Sequence, residues 1–123
     1  MRELEIQTEN VGDVALVVAK GFLDSHTFEQ MEDTINALFE EGVLKIAVDV
    51  GGVEYIGSAG AGVFIGALSC ANDNGGNVVL LSPTPNVQEV FDLLGLSQLF
   101  TIVDDKEKAL EALGATAGSS GAT

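Results

Sequence analysis

Hydrophobic and polar positions follow two rhythms along this chain, one of period two and one of helical period. Leu4 and Ile6 alternate with Glu3, Glu5 and Gln7, the pattern of a strand with one wet face near a sheet edge. A turn over residues 10–13 separates it from VALVVA, a more apolar strand. Residues 20–24 lead into a predicted helix over 25–41, where Phe28, Met31, Ile35, Leu38 and Phe39 recur opposite Glu29, Glu32, Asp33, Asn36 and Glu40, and Gly42 ends it. The run VLKIAVDV over 43–50 is nearly continuous and β-branched, as suits a central strand covered by helices on both sides. A glycine-rich turn then precedes a helix of mostly small residues over 58–72, stopped by Asn74, Gly75 and Gly76.

The second half repeats the grammar. NVVLL reads as a buried strand, and Thr84 with Pro85 supplies an N-cap and a first-turn proline. Val87, Val90, Phe91 and Leu94 form the inner stripe of the next helix, closed by Gly95. Residues 99–103 read as the last strand, and Asp104 or Asp105 caps a final helix bearing Leu110 and Leu113. From Gly114 onward GATAGSSGAT has no side chain large enough to pack and reads as a disordered tail. Residues 1–113 are thus expected to form a single α/β domain, a mixed β-sheet of about five strands with four helices packed on it by right-handed crossovers. Such a sheet carries its functional loops where strand ends meet helix starts, here at 21–25 and 51–58.

Charge narrows the function. Nineteen acidic residues against five basic ones give a formal net charge of -14, a field that repels phosphate backbones and anionic lipid, so neither nucleic acid nor membrane is an expected partner. No window holds 18 continuous apolar residues, and the first fifteen positions carry acids where a signal peptide is basic and then apolar, so the cytoplasm is the expected compartment. One cysteine and one histidine leave no material for an intramolecular disulfide or a His- or Cys-rich metal site, and no cofactor is expected. Cys70, in the apolar ALSCAN with no basic neighbour, is read as a buried packing residue. His26 is read as an exposed first-turn residue, and Asp49 as a carboxylate held by loop amides from 51–58.

The densest signal is GGVEYIGSAGAGVFIG, with six glycines between Gly51 and Gly66. Glycine inside a helix costs about 1 kcal/mol relative to alanine, so Gly60, Gly62 and Gly66 need close packing to compensate. Ser58 stands where the apolar VEYI gives way to helix. It is either an N-cap or a hydroxyl whose phosphate would meet a positive helix terminus. Between Lys45 and Lys106 there is no lysine, arginine or histidine, and neither GxxxxGK[ST] nor GxGxxG is present. Phosphoryl transfer needs a base and cationic stabilisation, so any such chemistry at Ser58 is done to this chain by a partner. The chain is expected to be a substrate and not an enzyme.

The segment VDVGGVEYIGSAGAGVFIGAL resembles the signature of the STAS domain, specifically that of bacterial anti-sigma factor antagonists. Gly21, Phe22, Leu23 and Asp24 resemble the family's Gly-x-Leu-Asp ahead of its first helix, and GGNVVLLSPTPNVQEVFDLLGLSQLF resembles the segment after the signature helix, so the likeness spans residues 3–113. It implies a protein-binding module in which Ser58 is phosphorylated by an anti-sigma factor with an ATPase and serine-kinase fold, and is dephosphorylated by a serine phosphatase. The unphosphorylated form would bind the anti-sigma factor and free the sigma factor. Asp24, Glu54, Tyr55, Gly57, Ala59, Gly60, Ala61 and Gly62 are the expected partner-binding residues. For Asp24 helix capping, and for Glu54 and Tyr55 core packing, stay open beside that role. Two positions depart from the pattern: Gly57 stands where the family usually has aspartate, and Ala61 where leucine is more usual. The alternative implied is a constitutive scaffold subunit of an ABC-type lipid-transport or stress-sensing complex.

Overall fold

The computed structural model describes residues 3–115. In chain order the elements are β1 (Leu4–Val11), β2 (Val14–Leu23), α1 (Phe28–Glu40), β3 (Lys45–Ile56), α2 (Ser58–Asp73), β4 (Asn77–Leu81), α3 (Pro85–Leu93), α4 (Leu96–Leu99), β5 (Thr101–Val103) and α5 (Lys106–Leu113). The strands form one sheet in the order β1-β2-β3-β4-β5, with β1 antiparallel to β2 and every other pairing parallel. The expected mixed five-stranded sheet is therefore present, with the half-polar β1 at its edge.

Strand alternation sorts the core into two layers. Ala15, Val17, Ile46, Val48, Val78 and Leu80 point to one face, where they pack with Met31 and Ile35 of α1, Phe64 and Ala67 of α2, and Phe91 of α3. Val14, Leu16, Ala47, Val79 and Leu81 point to the other, where Ala109 and Leu113 of α5 cover them. The central strands are buried on both sides because helices lie on both, as the unbroken apolar runs require.

Several boundaries differ from the expectation. The strand after residue 43 does not end at 50: β3 continues to Ile56 through two register shifts against β2, so the glycine-rich 51–56 is bulged strand and not turn. Helix α1 starts at Phe28, because residues 24–27 close a turn of their own in which the Thr27 and Phe28 amides both donate to the Asp24 carbonyl. Leu99 belongs to the one-turn α4, a fifth helix, which follows Gly95 in the left-handed region (φ 78°), and β5 begins only at Thr101. Cys70 is exposed, which corrects its reading as a packing residue. The buried stripe of α2 runs through Gly60, Ala61, Val63, Phe64, Ala67, Leu68 and Ala71, and position 70 lies off it. Asp105, not Asp104, caps α5, accepting from the Lys108 amide at 2.9 Å. The tail expected from 114 lies outside the described residues from 116 onward, while Gly114 closes α5 in the left-handed region.

Candidate functional site

The two loops singled out by position are brought together by the parallel pairing of β2 and β3. Phe22 faces Tyr55 and Leu23 faces Ile56 at the strand ends, and the Gly57 amide donates to the Leu23 carbonyl at 2.9 Å. The bulges in β3 make this meeting necessary to read in three dimensions, since they add residues to one strand only. Asp49 lies short of the bulges and accepts from the Gly51 amide at 2.8 Å, so its donor comes from the expected stretch but from bulged strand and not from a loop.

On the β2 side the chain builds a rigid corner. Asp24 and Thr27 are buried, and their side chains tie the turn: Asp24 Oδ1 accepts from the His26 amide at 2.9 Å, and Thr27 Oγ1 accepts from the Asp24 amide at 3.0 Å and donates to the Phe22 carbonyl at 2.7 Å. Short polar side chains that bond backbone locally favour such a turn over an earlier helix start. Asp24 therefore shapes the loop ahead of α1, and Thr27 occupies the N-cap of that helix.

On the β3 side a single residue separates strand from helix. Gly57 is the N-cap of α2, with extended backbone (φ -107°, ψ 180°) and no side chain to accept from the first-turn amides. Ser58 is already the first helical residue, so the capping alternative for it does not hold; its hydroxyl is exposed. The first turn is pinned from below at Gly60: a Cβ there would stand 2.5 Å from Leu23 Cγ and 3.1 Å from the Leu23 carbonyl oxygen. Only glycine allows this approach. Ala61 is buried beside it.

Asp24, Tyr55, Gly57, Ser58 and Ala59 line one open cleft of about 260 Å³, together with Ser25 and His26. Sequence reasoning gave Ser25 and His26 no part in the site. Their signal was the adjacency of β2 and β3, which makes the residue after each strand a neighbour of the other. Glu54 is exposed outside this cleft, and Gly60 and Ala61 face inward, so their contribution is the seating of α2 and not contact surface. Gly62 is exposed on a separate recess between α1 and α2, beside Glu32, Ile35, Asn36 and Gly66. No lysine or arginine lines the cleft, and His26 is its one basic side chain.

A larger open groove, about 790 Å³, lies at the end of β4 and is lined by Ser82, Gln88, Ser97, Phe100 and Asp104 among others. Beside it the Ser97 hydroxyl, and secondarily the Gln88 amide, donate to Asp92 and hold its carboxyl below the ordinary value. None of the residues marked out for chemistry lies there. Among the described residues no helix is long and apolar enough to cross a membrane.

Comparison with known proteins points the same way. A family model described as STAS domain matches residues 5–109. An anti-sigma-B factor antagonist of Staphylococcus epidermidis is 30% identical over 104 residues, spanning 85% of this chain and 96% of the relative. The anti-sigma factor antagonist SpoIIAA in its unphosphorylated form superposes with a TM-score of 0.76 at 26% identity, covering 88% of this chain and 95% of that one. The Bacillus cell fate determinant SpoIIAA in its phosphorylated form shares the fold at a TM-score of 0.70 and 24% identity, covering 88% and 98%.

Proposed function

The chain belongs to the STAS domain family, and from that membership we propose that it is an anti-sigma factor antagonist whose binding is switched by phosphorylation of Ser58. In this reading the unphosphorylated form binds an anti-sigma factor of ATPase and serine-kinase fold, so that the sigma factor is released. A serine phosphatase restores the binding form, and the whole cycle runs in the cytoplasm. The observation that carries it is the exposed Ser58 hydroxyl at a helix start with no side-chain cap, in a cleft formed by two adjacent loops. A hydroxyl so placed is reachable by another protein's active site. A phosphate adds about -1.5 to -2 charge at neutral pH, enough to break a fitted interface by repulsion and desolvation. No lysine or arginine lines the cleft to stabilise a transferring phosphoryl group, which supports a substrate's role over an enzyme's.

The test is to incubate the full chain with the ATPase-fold anti-sigma factor encoded in the same genome, with ATP, and to map the product by mass spectrometry. We expect phosphate on Ser58, none on Ser58→Ala, and loss of the complex on phosphorylation. Phosphate at another position, or a complex indifferent to it, overturns the switch. Gly57 favours the second reading, a constitutive scaffold, because the side chain next to the acceptor that the switch-type motif carries is missing. Co-purification with an ABC-type ATPase and no phosphorylation would select that one.

A further inference from the structure

Tyr55 and Gly57 stand together at the end of β3, and a side chain at 57 would press on the Tyr55 ring. A Cβ built on Gly57 would stand 3.2 Å from the Tyr55 hydroxyl oxygen, 3.4 Å from Cε2 and 3.6 Å from Cζ. The phenol ring thus lies against the glycine, closer than a side chain at 57 would leave it. The ring remains 47% exposed, and it shares a cleft with Ser58.

Three physical consequences follow. First, the group next to the acceptor serine is an aromatic hydroxyl, whereas an aspartate at 57 would set a carboxylate there. Second, a phenol offers both a donor and an acceptor on an apolar plate, a combination that anchors protein interfaces. Third, a ring resting on backbone has less freedom to lose on binding than one standing in solvent, which favours association.

We propose that Tyr55, laid against Gly57, is the specificity-determining residue of the Ser58 face: it selects a partner that meets the phenol with an apolar pocket carrying a hydrogen-bond partner for its hydroxyl. The inference rests on the reading of Ser58 as the face that meets an anti-sigma factor. Positions 55 and 57 act as a pair in it. A Cβ at 57 makes the ring give by a few tenths of an ångström, a longer side chain moves it further, and an aspartate there also adds a charge.

The chain holds one tyrosine and no tryptophan, so its intrinsic fluorescence reports Tyr55 alone. Acrylamide quenching of the free protein is expected to be strongest in Gly57→Asp, with Gly57→Ala between it and the wild type, because a longer side chain moves the ring further from its place. Equal quenching in all three overturns the pairing without any partner present. Calorimetric titration with the same anti-sigma factor is expected to show Tyr55→Ala raising Kd by about tenfold or more, on the scale of an interface anchor. Tyr55→Phe should have a smaller effect, and Gly57→Asp should weaken binding although Tyr55 is intact. A wild type that binds while Tyr55→Ala changes Kd by less than about twofold overturns this inference and leaves the antagonist reading standing. A wild type that does not bind overturns both.

Discussion

The helices that leave β3 and β4 start in opposite ways. At α3, Thr84 is the N-cap, its hydroxyl accepts from the Val87 amide at 3.3 Å, and Pro85 takes the first helical position. At α2 the N-cap is Gly57, no side chain accepts from the first turn, and the hydroxyl that might have done so is displaced one residue inward and faces solvent. Both helices follow neighbouring parallel strands of one sheet. A side-chain cap stabilises a helix by about 1 kcal/mol over alanine and by only a few tenths over glycine, so α3 is closed by its own hydroxyl while α2 starts from glycine at small cost. The difference teaches that one sheet can start a helix by a side-chain cap or by close packing: the first turn of α2 is buried against Leu23 at Gly60 while Ser58 on its outer face is left exposed.

The contrast can be broken most severely at that seat. Gly60→Val places a branched side chain where even a Cβ meets Leu23 at 2.5 Å, so denaturant unfolding should show a loss of about 3 kcal/mol. A loss under about 1 kcal/mol would mean that α2 is not held there. Next in size is the matched pair Thr84→Ala and Ser58→Ala. The first should cost about 1 kcal/mol and the second less than about 0.5 kcal/mol in the same assay, because only Thr84 makes a cap bond. Equal losses would erase the distinction drawn between the two helix starts.

Smaller still, and of opposite sign, are the changes at Gly62 and Gly66, where a Cβ would meet nothing within 4 Å. Close packing accounts for Gly60 and not for these two. Gly62→Ala and Gly66→Ala should therefore each stabilise the isolated protein by about 0.5–1 kcal/mol in chemical unfolding. Destabilisation at either would reveal packing that the free chain does not display. The smallest effect concerns Asp92, beside the groove at the end of β4. Its carboxyl titrates below the ordinary 3.8, mainly through the Ser97 hydroxyl and then the Gln88 amide. A depressed folded value means the contribution is present above 3.8 and is lost as pH falls through the folded value. Ser97→Ala should bring the titration of Asp92, followed by carboxyl NMR, back toward 3.8.

Much of the fold was legible because the signals are local. The alternation at Leu4 and Ile6 marked an edge strand, the stripe Met31–Ile35–Leu38 marked the buried face of α1, and Thr84 with Pro85 marked the start of α3. Those features depend on neighbours within a few residues. The misread features depend on partners far along the chain. Glycines 51 and 52 looked like a turn, yet they continue a strand because β2 offers its edge to pair with; a Cβ at 52 would meet Lys20 Cγ at 2.7 Å. Cys70 sits in an apolar string but on the outer side of a helix, and only the direction of the sheet decides which side is outer.

The candidate site divides in the same way. Sequence alone determined the order of elements, the cation-poor character of the region around Ser58, and the glycine-rich signature that names the family, since composition and short spacing are properties of the chain itself. The tertiary structure decided that Asp24 is buried as the tie of a turn, that His26 shares a cleft with Ser58, that Ser58 follows the cap instead of being it, and that Tyr55 lies against Gly57. Each of these is set by the register between β2 and β3 and by the bulges that shift it. A shift of one residue in a strand sends its side chains to the other face, and that choice belongs to the paired sheet, not to either strand.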